Sequence, residues 1–147
     1  MPFWKKKKKS PEKSAVLSPH EMTVEQLCAS PLVHEAAQNN YFEENLNFLQ
    51  KFVDFKNNPN VSTWKSLQDV VEDKGFNLGQ SQKNKMLEIG KMITNENAKS
   101  FLSSDENNPQ LRQYQNLRDI VTSVQNMVKD STKEYMESSK YKMGKHP

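Results

Sequence analysis

An all-α fold is the prediction for this 147-residue chain, and three observations carry it. The apolar residues recur at three- and four-residue spacings, the period of an amphipathic helix. Alternating β-branched runs, as a half-buried strand would need, do not occur. Only four glycines punctuate the sequence, so few tight turns are available. The chain is polar, with 34% hydrophobic residues and a mean hydropathy of -0.93. Clustering of the apolar residues into helical periods nevertheless argues for one folded domain with a modest core.

Taken in order, the first element is an arm. Residues 1–19 run from Phe3 and Trp4 through Lys5, Lys6, Lys7, Lys8 and Lys9 to a Ser-Pro-Glu-Lys-Ser stretch, and they cannot bury a core, so a disordered segment is expected. Residues 1–14 hold six lysines and one glutamate, which leaves a net negative charge on residues 15–147 although the whole chain is +3. One reading makes the arm a membrane-binding element, with Phe3 and Trp4 at the interface and the lysines on anionic lipid. A solvated tail or a nucleic-acid or nuclear-import patch are the alternatives. Pro2 excludes the N-myristoylation pattern, which needs glycine there. No run is long enough to span a bilayer, no signal-peptide core is present, and the single Cys28 has no disulfide partner, so a soluble cytosolic protein is expected.

Thr23 to Gln26 fits a capping box opening a short helix with Val24, Leu27 and Cys28. Pro31 suits the first turn of the next helix, whose apolar face is Leu32, Val33, Ala36 and Ala37. Residues 41–56 hold the densest apolar pattern: Leu46, Leu49 and Val53 form one stripe, and Phe48, Phe52 and Phe55 the adjoining one. This predicts a central helix, with Glu43 and Glu44 at its positively polarised start. Pro59 ends it. A helix over 63–73 carries Trp64, Leu67, Val70 and Val71 and stops at Gly75. Residues 82–94 form another, with Met86, Ile89 and Ile93 on one face and Gly90 allowing close packing. After a loop at 101–109, a short helix is expected from Pro109 to Gln115. A clean amphipathic helix follows with Leu117, Ile120, Val121, Val124, Met127 and Val128 on its buried face. Ser131 to Glu134 reads as the capping box of a separate last helix that buries Tyr135 and Met136.

Glu43-Glu44-Asn45-Leu46, then Phe48, then Asp54-Phe55-Lys56, resembles the opening signature of regulator of G-protein signalling (RGS) domains. A second stretch, Val121 to Ser131 followed by Tyr135-Met136, Ser138 and Tyr141, is similar to a late motif of the same family. Two motifs in order are more specific than either alone, and the resemblance covers residues 23–141. It implies an all-α, RGS-like antiparallel helical bundle of about nine short helices. Residues 57–81 then read as an extra helix inserted between the family's fourth and fifth. That helix is either a second partner surface or a cover for apolar area. The helical domain would occupy 20–142, between the arm and a tail at 143–147.

The resemblance also implies a function. Such domains bind the switch regions of a heterotrimeric G-protein α subunit in its GTP or transition-state form and accelerate GTP hydrolysis. The α subunit holds its own arginine and glutamine, so the regulator needs no cofactor, no metal and no active site. The gripping residues of the family lie in three loops at one end of the bundle. Glu44 and Asn45 match the first set, Ser103 and Ser104 occupy the place of the second, and Asn126, Asp130, Ser131 and Glu134 that of the third. Several positions depart from the pattern: Ser103 or Ser104 stands for an asparagine, with Asn107 and Asn108 coming later, Phe42 for a serine, Asn126 for a leucine and Glu134 for an arginine. A reversed charge at an interface weighs against the usual partner. An RGS-like scaffold that binds without accelerating is therefore the alternative.

The residues also have simpler explanations, Glu44 and Asn45 as a helix start and Asp130-Ser131 as a cap. Cys28 and His34 lack a catalytic partner or a metal-ligand set, and a buried thiol with a surface imidazole is expected. Nucleic-acid binding fits poorly with a net acidic folded part. The overall expectation is a monomer held at the inner face of the plasma membrane by its arm.

Overall fold

The computed structural model describes residues 18–73 and 76–138, all helix and connecting loop among those residues. A 3-10 turn at Pro19–Glu21 precedes seven α-helices: α1 Val24–Ala29, α2 Pro31–Asn40, α3 Glu43–Asn57, α4 Val61–Glu72, α5 Gln80–Met92, α6 Ala98–Phe101 and α7 Leu111–Met136. The all-α prediction holds. The arm residues Phe3, Trp4 and Lys5 to Lys9, the stop at Gly75 and the motif position Tyr141 lie outside the described residues.

Local chemistry explains the starts. Thr23 Oγ1 accepts from the Gln26 backbone N–H at 3.1 Å while the Gln26 side chain accepts from Thr23 N at 2.8 Å, so two free donors are satisfied reciprocally. Ser30 caps α2 at Val33 N, and Pro31 takes the first helical position. Tyr41 closes α2 in the left-handed region at φ 62°, with Phe42 N bonded back to Ala37 O. A tyrosine there costs about 1 kcal/mol relative to glycine. Asn60 caps α4 by accepting from Thr63 N at 2.9 Å.

The core lies between α3, α4 and α7. Phe48, Leu49 and Phe55 of α3 are fully buried, and Phe52 nearly so. Phe48 stacks on Phe76 at a centroid distance of 5.3 Å, and Phe55 meets Trp64 edge-on at the same separation. Helix α4 buries the four residues expected of it, Trp64, Leu67, Val70 and Val71. Gly90 of α5 sits against α4 so closely that a Cβ would lie 2.8 Å from Gln68 Oε1 and 3.0 Å from Trp64 Nε1. That close approach explains a glycine inside a helix.

Three expectations need correction. No helix break occurs at Ser131, because α7 runs unbroken from Leu111 to Met136 and takes in both the short helix expected at Pro109–Gln115 and the separate last helix. The capping box at Ser131–Glu134 therefore does not exist. The apolar period explains it, since Val128, Thr132 and Tyr135 continue the buried stripe at helical spacing straight through the supposed break. Met127, placed on that stripe by sequence, is 37% exposed. Finally, Pro19 is buried and begins the 3-10 turn, so the ordered chain starts inside the stretch assigned to the arm.

Candidate functional site

The first candidate set sits at the start of α3. Phe42 is buried and offers no side-chain cap, so the first turn of α3 relies on its carboxylates and on solvent. Glu44 is exposed there, beside the positive end of the helix. Asn45 is not at the surface: only 9% of it is accessible, and its Nδ2 is buried without a hydrogen-bond partner.

The second set belongs to a tightly wired loop. Ser103 Oγ accepts from Asp105 N at 3.1 Å, and Asp105 Oδ1 accepts from Asn107 N at 2.9 Å. Asn108, which sequence reasoning passed over as lying too late, organises the loop. Its buried Nδ2 donates to Phe101 O and Ser103 O, and its Oδ1 accepts from Gln110 N. Ser103 is thus spent on the turn. Ser104 is exposed, and its Oγ takes a long 3.4 Å contact from Arg118 of α7.

The third set lies on α7. Asn126, Asp130 and Glu134 are all exposed and stand at successive four-residue steps, so they form one outward row. Ser131 is half-buried beside them, and Met127 adds an exposed apolar contact. Asp130 is paired: its Oδ1 accepts from His20 Nε2 at 2.9 Å. Lys129 Nζ reaches His20 O and Gln125 Nε2 reaches Met22 O, both at 3.4 Å, so the Ser18–Met22 segment is fastened along α7. One turn further on, the Tyr135 hydroxyl donates to Glu35 of α2. Sequence gave no signal for the His20 pairing, because 110 positions separate the two residues.

The second and third sets meet α7 at different points along its length. Ser104 contacts α7 at Arg118, and Asp130 follows twelve residues later, about 18 Å along the helix axis. Phe52 and Lys56, from the second half of α3, line a groove of about 480 Å³ with Tyr114, Arg118 and Val121 of α7. No hydrogen bond among the described residues joins Glu44 or Asn45 to either other set.

Elsewhere the chemistry is quiet. Lys56 pairs with Glu25 at 2.7 Å and holds that carboxyl below its usual range. His34 Nε2 donates to Cys28 O at 2.6 Å, so both are half-buried and engaged in backbone packing. Burial pushes the Cys28 thiol up to about 11, with Glu25 and Asp54 adding to it, which suppresses the nucleophilic thiolate. Among the described residues no cluster of three His, Cys, Asp or Glu is placed to hold a metal ion, and no helix is long and apolar enough to cross a membrane. In comparisons with known proteins, no family model, curated protein or solved structure matches the chain.

Proposed function

We propose that this chain is a regulator of G-protein signalling that binds the switch segments of a G-protein α subunit and speeds GTP hydrolysis without contributing a reacting group. The observation that carries the reading is Asp130. The simplest explanation of an Asp-Ser pair at this place is a helix cap, and α7 passes through it unbroken, so Asp130 caps nothing and stands exposed in a row with Asn126 and Glu134. The row has no capping role, and its one described tie, the exposed Asp130–His20 contact, leaves Asn126 and Glu134 free at the surface, which is the material of a partner surface. The rate effect would come from differential affinity: the domain prefers the arrangement of the switch segments that the transition state requires. The basic arm would recruit the domain to the anionic inner face of the plasma membrane.

Single-turnover GTP hydrolysis by a panel of α subunits tests this. The full chain should accelerate at least one of them, and Asp130→Ala should lower that acceleration about tenfold while leaving the unfolding midpoint within about 0.5 kcal/mol. Absence of binding in every nucleotide state would overturn the reading.

A second reading has its own support. Arg118, whose guanidinium reaches Ser104, stands about 18 Å along α7 from Asp130, and Asn45 is buried. A helical interaction domain that binds without accelerating fits a surface so dispersed. Binding with no change in hydrolysis rate would select it, and Glu134→Arg should then leave the rate unchanged.

A further inference from the structure

We propose that the groove between α3 and α7 is a binding site for a small amphipathic monocarboxylate, an aromatic or aliphatic acid whose apolar body lies on the groove floor and whose carboxylate is held at the rim by Arg118 and Lys56. None of the groove's residues belongs to the three candidate contact sets, so the site stands or falls apart from the α-subunit reading.

The hollow has a volume of about 480 Å³, within the range of about 300–1,000 Å³ in which small-molecule sites fall. Its lining comes from four parts of the chain: α1, α3, Leu102 just after α6, and α7. Phe52 and Val121 are buried and form an apolar floor, which half-buried Tyr114 and Leu102 extend. The Tyr114 ring meets buried Phe101 edge-on at a centroid distance of 5.7 Å, so the core fixes this wall. An apolar body laid there leaves water without requiring the groove to reorganise.

Charge at the rim selects the ligand's head. Lys56 Nζ stands 5.7 Å from the centroid of the Phe52 ring and the Arg118 guanidinium 5.9 Å from that of Tyr114, so each cation is held over an aromatic side chain of the groove. Glu25 is paired with Lys56 at 2.7 Å, whereas Arg118 has no carboxylate within ion-pair reach among the described residues and only the neutral Ser104 Oγ at 3.4 Å. Two cations against one carboxylate leave a single positive charge. One carboxylate group of a ligand neutralises it, most directly through a two-point contact with the guanidinium. Exposed Thr122, one helical turn from Arg118 on the same rim, offers its hydroxyl to that group. Two other hollows lack this imbalance: the one at Asn60 and Asn95 sets Lys65 against Asp69, and the one beside Cys28 sets Lys51 against Asp54.

Titration of the full chain with naphthoate at neutral pH, followed through backbone amide NMR spectra, tests the proposal. Naphthoate should bind with a Kd of about 1 mM or tighter, the level expected of so small a probe, and should shift the amides around Leu102, Arg118 and Thr122. The uncharged naphthamide should bind about tenfold more weakly. Arg118→Gln should weaken naphthoate binding about tenfold, and Arg118→Lys only about threefold, because lysine keeps the charge and loses the fork. Arg112→Gln removes another exposed cation of α7, outside the groove, and should change nothing. Naphthoate binding that is absent, no tighter than that of naphthamide, or insensitive to Arg118→Gln overturns the site, and so do shifts scattered away from the groove. The readout involves no α subunit, so failure of either reading leaves the other standing.

Discussion

At the scale of single residues, two buried polar atoms mark where stability has been given up. Asn45 Nδ2 and Thr132 Oγ1 are both buried with no hydrogen-bond partner among the described residues. Thr132 is completely inaccessible. Replacing an unsatisfied hydroxyl with a methyl of the same shape removes a desolvation cost of about 1–3 kcal/mol. Thr132→Val is therefore expected to raise the urea midpoint by the equivalent of about 1 kcal/mol, and a lowered midpoint would mean that the hydroxyl has a partner. Cys28 sets a pH dependence. Its thiol ionises at about 11 in the fold against 9.0 for an unperturbed thiol. The unfolded chain loses that proton first, so stability falls as pH rises between those values. Cys28→Ala should remove this part of the alkaline slope, seen as a difference between two pH series of unfolding midpoints. The orphaned polar atoms were not legible in the sequence, where Asn45 reads as an ordinary residue of the helix start and its burial depends on what packs over it, whereas withdrawal of the Cys28 thiol from solvent was expected.

At the scale of elements, the helices with strong periodicity were legible and the junctions were not. Thr23, Pro31 and the α3 stripes place their helices to within two residues, because capping and the core-facing period are local properties. Helix α7 misleads because Ser131 to Glu134 has the composition of a capping box, and composition alone does not force the chain to leave the helix. Ser131→Pro decides the matter: inside a helix it should cost about 3 kcal/mol or more, through a lost hydrogen bond and a ring clash. An unchanged thermal midpoint would restore the break. For α3, Leu49→Ala should cost roughly 2–5 kcal/mol, read from urea unfolding, since the side chain is fully buried. Gly90→Ala brings a different balance. The alanine gains up to about 1 kcal/mol of helix propensity. Its Cβ, however, displaces the Gln68 carbonyl that accepts from buried Trp64 Nε1 at 3.0 Å. Loss of that acceptor outweighs the gain, so a net destabilisation of about 1 kcal/mol is expected.

At the scale of the whole molecule, the helical class was readable from periodicity, whereas the layout of the candidate surface was not. Which loop meets which stretch of α7 depends on packing between distant elements, as the Arg118 contact to Ser104 illustrates. The same holds for the fold's beginning. Pro19 and Met22 are buried, so removing residues 1–22 should lower the unfolding midpoint by about 1.5–3 kcal/mol relative to removing residues 1–17. Equal midpoints for the two truncations would mean that the segment adds nothing to the core. The fastening of Ser18–Met22 along α7 also fixes how the molecule bears a load. Tension applied between residues 1 and 147 enters through a segment clipped to the very helix that leads to the other terminus, so the pull passes along α7 and bypasses α4 and α5. Under a slowly rising force in an optical trap, the first event should be the peeling of residues 18–22 from α7, an extension of under about 20 Å. The helical bundle would open only afterwards, which makes the His20–Asp130 clip the mechanical fuse of the fold.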